Sequence, residues 1–161
     1  MKPQAIVYTS NTGFTLRYAQ MLSKITGLPI YDLKDKTLKK KTPVVFMGWL
    51  MAGKLVGYKK ANRRFSLVAV CSVSLGTPKE QVQLKNKITV PVFALRGGMD
   101  HNKLTGIYKK MIDALISMLE KKQRTQEEAA MLNMIKAGGD FVTESNLADV
   151  IRFVRQNVKN S

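Results

Sequence analysis

The chain has 161 residues, 45% hydrophobic and 24% charged, which is the composition of a globular protein with one complete apolar core. One cysteine, Cys71, and one histidine, His101, leave no disulfide framework and no Cys- or His-based metal centre, and no apolar run approaches the ~20 residues of a membrane span. Lys+Arg 27 against Asp+Glu 11 gives a net charge of +16, which calls for a polyanionic neighbour: nucleic acid, an anionic membrane surface or an acidic protein.

In chain order, Met1-Lys2-Pro3-Gln4 leads straight into the apolar run 5–8 with no signal-peptide core, so a cytoplasmic, single-domain protein spanning 1–161 is expected. Five small hydrogen-bonding residues follow: Thr9, Ser10, Asn11, Thr12 and Gly13. A helix is predicted over about 14–25, stopped by Gly27. A short run at 28–33 and a charged connection at 34–42 lead to Val44-Val45-Phe46-Met47, a Gly-containing loop, and a basic stretch through Arg64 that is helical in part. The run 65–72 alternates β-branched residues, and Gly76-Thr77-Pro78 turns into a short helix with proline at its first position. The last strand is predicted at 90–95, before Arg96-Gly97-Gly98, and two or three helices complete the chain, beginning with 103–122.

Five strands separated by helical segments predict an α/β parallel sheet with helices on both faces. Ligands of such sheets sit outside the carboxyl ends of the strands, where strand order reverses. The polar or glycine-rich loops at 9–15, 48–54, 72–78 and 96–100 all fall at predicted strand ends.

The loop Ser10-Asn11-Thr12-Gly13-Phe14-Thr15 opens a helix whose backbone N–H groups favour an anion, and its hydroxyls add donors without charge. It lacks the Gly-x4-Gly-Lys spacing of a P-loop and the three glycines of a dinucleotide fingerprint. It suits a phosphate monoester held by neutral donors; the other reading is a helix cap with spare hydroxyls. Trp49, the only tryptophan, stands beside Gly48 at a predicted strand end, where a flat indole can stack on a flat ligand or simply cover the sheet edge.

Thr9-Ser10-Asn11-Thr12-Gly13-Phe14-Thr15 after a strand resembles the FMN phosphate loop of flavodoxins, Ser/Thr-x-Thr-Gly-x-Thr. Val70-Cys71-Ser72-Val73-Ser74-Leu75, Phe93-Ala94-Leu95-Arg96-Gly97-Gly98, the helix over 108–119 and the stretch 139–154 resemble the flavodoxin-like branch that includes menaquinone-dependent protoporphyrinogen oxidase. The resemblance implies FMN, a flavodoxin-like three-layer sandwich with strand order 2-1-3-4-5, and one- or two-electron flavin chemistry. It implies that Ser10, Asn11, Thr12, Gly13, Phe14 and Thr15 hold the phosphate, with Thr9 leading in. Gly48, Trp49, Leu50, Met51, Ala52 and Gly53 would border one face of the isoalloxazine. Ser72, Val73, Ser74, Leu75 and Gly76 would border the other face and the pyrimidine edge.

Two features depart from the electron-carrier pattern: the charge is strongly positive where carriers are acidic, and 72–76 holds no aromatic. The functions expected are flavin-mediated electron transfer with an acidic redox partner protein, or FMN-dependent oxidation of an anionic substrate with electrons passed to a quinone. A flavin-free nucleic-acid module is the reading of another class, and no helix-turn-helix, zinc-finger or RNP pattern supports it. The basic clusters, among them Lys39-Lys40-Lys41 and Lys59-Lys60 with Arg63-Arg64, also read as a solvated face. Ile107, Met111, Leu115, Met118 and Leu119 fall at helical spacing and read first as a core-facing stripe. Flanked by Lys109, Lys110, Lys121 and Lys122, they read second as a helix in peripheral contact with an anionic membrane. His101 reads as an ordinary loop residue or a proton donor, and nucleophile elbows, paired catalytic carboxylates and metal spacings are missing.

Overall fold

The computed structural model describes residues 1–159. Its elements are β1 (Ala5–Tyr8), α1 (Phe14–Thr26), β2 (Ile30–Asp32), β3 (Pro43–Met51), β4 (Lys54–Leu55), α2 (Tyr58–Arg64), β5 (Ser66–Ser74), α3 (Lys79–Asn86) and β6 (Val92–Arg96). Then come β7 (Gly98–Met99), α4 (Gly106–Lys121), α5 (Gln126–Ala137), β8 (Gly139–Asp140) and α6 (Ala148–Lys159), with short 3-10 turns at His101–Lys103 and Glu144–Leu147.

The main strands pair in parallel in the order β2-β1-β3-β5-β6, with Ile6 opposite Ile30 and Val45, and Cys71 opposite Met47 and Phe93. Alternation along the strands divides the core in two. Ile6, Val45, Met47, Cys71 and Val73 pack with Tyr18, Ala19 and Leu22 of α1 and Val150 and Val154 of α6. Ala5, Val7, Val44, Phe46 and Val70 pack on the other face with Tyr58 and Ala61 of α2 and Val82 of α3. Strands buried on both sides need an apolar residue at every position, which is why 44–47 and 67–71 read as continuous runs.

The sequence-based order 2-1-3-4-5 is corrected by the two-residue strand β4. It pairs antiparallel with the end of β3, Leu50 opposite Leu55 and Met51 opposite Lys54, makes the sheet six-stranded and shifts the numbering beyond it by one. The segment 48–54, expected as a loop, is therefore the tip of a hairpin. Its two turn residues, Ala52 (φ 50) and Gly53 (φ 75), both take the left-handed conformation that matches the twist of paired strands. The tip is pinned from α3: Lys85 Nζ donates to the Ala52 carbonyl at 2.8 Å, and the Asn86 amide donates to Gly53 O at 3.1 Å while accepting Leu55 N–H at 2.8 Å. β5 likewise runs on to Ser74, and Pro78 caps α3 instead of opening it.

Helix α1 ends as expected, with Gly27 at φ 74 donating its N–H to Ser23 O at 2.8 Å. The stripe on α4 does not face the sheet core throughout: Leu119 is buried and Leu115 half-buried, whereas Ile107, Met111 and Met118 are exposed. The reason is that α4 packs on α5 and on the strand-end loops, through Leu104, Ile112 and Ile135 with Met51, Met99 and Tyr108. No helix among the described residues is long and apolar enough to cross a membrane.

Candidate functional site

A cavity of about 540 Å³ lies at the carboxyl ends of β1, β3 and β5, where the order of an open α/β sheet reverses. Three separate loops reach it. From the first come Ser10, Asn11, Thr12, Phe14 and Thr15; from the β3–β4 hairpin come Trp49, Leu50, Met51, Ala52 and Gly53; from the end of β5 come Val73, Ser74 and Leu75. Residues far apart in sequence thus share one wall.

Five other residues singled out from the sequence lie beside the cavity. Thr9 extends the β1 ladder, its N–H donating to Met47 O at 3.0 Å, and its methyl packs toward Gly57. Gly13 lines a polar cleft next door. Gly48 and Ser72 are buried in adjacent strands, and the Ser72 hydroxyl has no hydrogen-bond partner among the described residues. Gly76, at φ 122, takes a backbone conformation that side chains resist, in the exposed turn before α3.

The first loop is built to leave donors free. Gly13 stands at the N-cap of α1 at φ 96, and no side chain caps the helix. The first N–H groups of an α-helix have no partner within it, so their donor capacity faces the loop. Ser10 Oγ accepts Gly13 N–H at 3.1 Å, which curls the loop, and Asn11 Oδ1 accepts Thr105 N–H at 3.2 Å, which ties it to the start of α4. Asn11 thereby spends its carbonyl on α4, while Thr12 and Thr15 line the cavity.

Most of the remaining wall is apolar and comes from α4 and α5, away from the strand ends. Leu104, Met111, Ile112, Leu115, Met131, Met134 and Ile135, on and just before α4 and α5, line it with Met99 from β7. Helical periodicity marked Met111 and Leu115 as apolar positions, but periodicity cannot tell a cavity wall from a core. Gly98 also lines the cavity, and a Cβ there would lie 2.4 Å from Gly139 O and 2.6 Å from the Phe14 ring, so only glycine lets the three approach.

Electrostatics divide the neighbourhood. Among the described residues, no lysine, arginine or histidine lines the cavity, and Asp100 is the one ionisable residue that does. The cations gather in the adjoining polar cleft of about 670 Å³, which shares Thr12, Phe14, Met99, Asp100 and Ile135 with it. There Arg17 meets Asp140 at 2.5 Å and Lys103 meets Asp100 at 3.4 Å, while Lys136 pairs with Glu120. The Arg17 hydrogen bond holds the Asp140 carboxyl below its ordinary range. His101 also borders this cleft, with its Nε2 2.6 Å from Asp113 Oδ1; that contact, followed by those of Lys109, draws the Asp113 carboxyl down. Cys71 sits deep in the sheet, where burial pushes its thiol up and keeps it inert.

The arrangement can hold a ligand with one polar, anionic end and a flat apolar body. The chain matches no protein-family model, and no curated protein and no solved structure matches it.

Proposed function

We propose that the chain is a flavodoxin-like, FMN-binding protein that carries out flavin-mediated electron transfer, with the sheet and its two helical layers forming a three-layer sandwich of that type. The observation that carries the reading is the convergence of three loops on one cavity: an uncapped, hydroxyl-bearing helix N-terminus, the Trp49 hairpin, and Val73-Ser74-Leu75. Ser10, Thr12 and Thr15, with the first N–H groups of α1, suit a phosphate monoester. Trp49 offers a ring face or edge to an isoalloxazine, and Leu50–Gly53 and Val73–Leu75 would border its two faces.

The residues present fit the group on their donor chemistry. A cradle without cations binds phosphate through dipoles and hydroxyls, and Trp49 and the apolar residues around it suit a flat ring. Bound FMN would supply the acceptance and release of electrons. This chain's own residues bind it, orient it and keep solvent away. Among the described residues, no cysteine or histidine lines the cavity.

Purified protein should quench FMN fluorescence and bind FMN far more tightly than riboflavin, which lacks the phosphate. Equal affinity for the two flavins, or no binding of FMN at micromolar concentration, would sink the reading. Ile107 and Met118, exposed on α4 beside Lys110, Lys121 and Lys122, favour peripheral contact with an anionic membrane surface as a second property. Co-sedimentation with anionic but not with zwitterionic vesicles tests it.

A further inference from the structure

We propose that the apolar part of this cavity, beneath α4 and α5, is a second ligand site that takes an uncharged ring compound and rejects anionic ones. The assignment rests on the flavin reading only for what occupies the polar loops beside it.

The first support is the exclusion of charge. The chain carries 27 Lys+Arg, yet none lines the cavity. A carboxylated or sulfonated ligand in the α4–α5 part would bring its charge against apolar side chains, where lost hydration has no replacement. The +16 of the protein therefore says nothing in favour of an anionic ligand here.

The second support is the character of the wall. Of the nine methionines, five line the cavity: Met51, Met99, Met111, Met131 and Met134. Unbranched, polarizable thioethers adapt to the edges and faces of rings without imposing one shape, which suits a flat apolar ligand. The polar side chains of the wall, apart from Asp100, sit on the loops around residues 10–15 and 74–77, so the α4–α5 side offers a ring nothing but apolar contact.

The third support is access. Met111, Met131 and Met134 line the cavity and are also 45%, 48% and 44% exposed. Apolar side chains that belong at once to a wall and to the surface form a mouth between α4 and α5 through which an uncharged ring can pass.

The test uses two dyes with the same ring system, neutral N-phenyl-1-naphthylamine and anionic 1-anilinonaphthalene-8-sulfonate. Trp49, the only tryptophan, lines the cavity, so energy transfer from it reports binding at this place. The neutral dye should saturate and bind roughly tenfold or more tighter than the sulfonate. Its emission should persist when the protein is saturated with FMN. Tighter or equal binding of the sulfonate overturns the proposal, as does the lack of saturable transfer from Trp49. Displacement of the dye by FMN also overturns it, since the flavin would then fill the whole cavity, and leaves the flavin reading standing. Conversely, dye binding by a protein that ignores FMN removes the flavin reading and supports the cavity. Met131→Glu and Met134→Glu lie at exposed positions, so the fold, checked by circular dichroism, should survive; each should weaken the neutral dye by roughly tenfold. Unchanged binding in both variants would show that the dye sits elsewhere.

Discussion

The indole of Trp49 meets the ring of Tyr108 edge-on, centroids 4.6 Å apart and planes at 74°. Trp49 belongs to β3 and Tyr108 to α4, so the pair couples the rigid sheet to the helical wall of the cavity. An edge-to-face pair contributes about 0.5–1.5 kcal/mol beyond area burial. Tyr108→Ala should therefore lower the melting temperature modestly and shift the emission of Trp49 to the red. An unshifted spectrum would mean that Tyr108 does not shield the indole.

Thr12→Val removes a hydroxyl from the cavity wall and keeps its shape. FMN should bind about 1–3 kcal/mol more weakly, the cost of a phosphate oxygen left without a donor. Riboflavin binding should not change. If both flavins weaken alike, the loop supports the ring and not the phosphate.

Gly98→Ala forces a methyl into a space already filled by Gly139 O and the Phe14 ring. Backbone cannot yield as a flexible side chain does, so the variant should lose about 1–3 kcal/mol in urea unfolding. The same change should open the β7–β8 pairing and shift Phe14. A variant as stable as the parent would show that the segment relaxes freely.

Acid should loosen the helical wall first. Lys136 bridges from α5 to Glu120 of α4, Lys122 meets Glu128 across the connecting loop at 2.6 Å, and His101 meets Asp113. Hydrogen bonds from Lys136, Lys122 and His101 are the largest causes that hold Glu120, Glu128 and Asp113 below the ordinary carboxylate range. Carboxyls with depressed values stabilise the fold above the unfolded range of about 4, and that contribution fades as pH falls through their lower folded values. All three groups are exposed, so each effect is small and salt-sensitive. Hydrogen exchange from neutral pH down to about pH 3 should show α4 and α5 losing protection before β1, β3 and β5. Uniform loss across the chain would refute the order.

Local chemistry made much of the fold legible and left the cavity half-seen. The five parallel strands, α1 and its stop at Gly27 follow from apolar runs and a left-handed cap. The β3–β4 hairpin escaped because its turn is Ala52-Gly53; alanine at φ 50 is uncommon, and here Lys85 and Asn86 bind the tip. Sequence carries the pattern, and here the third dimension supplies the conformation. Met131 and Met134 gave no signal at all, since what they face depends on α5 folding back toward the strand ends. The pattern on α4 was visible, but an apolar stripe looks the same against a core, a cavity or solvent.

The antiparallel pair of Gly98–Met99 with Gly139–Asp140 has an evolutionary and engineering meaning. It brings the two ends of the α4–α5 segment into one short ladder, so the chain leaves the sheet and returns at nearly the same place. Beyond it, α6 resumes packing against α1 in the sheet's own core. The segment 100–138 thus has the geometry of an insertion, its two ends meeting in one short ladder. Replacing it with a tight turn should preserve the parallel sheet while stripping the cavity of its methionine wall and releasing Asn11 from Thr105. A lineage could alter what the protein accepts by exchanging this module alone, with the scaffold left untouched.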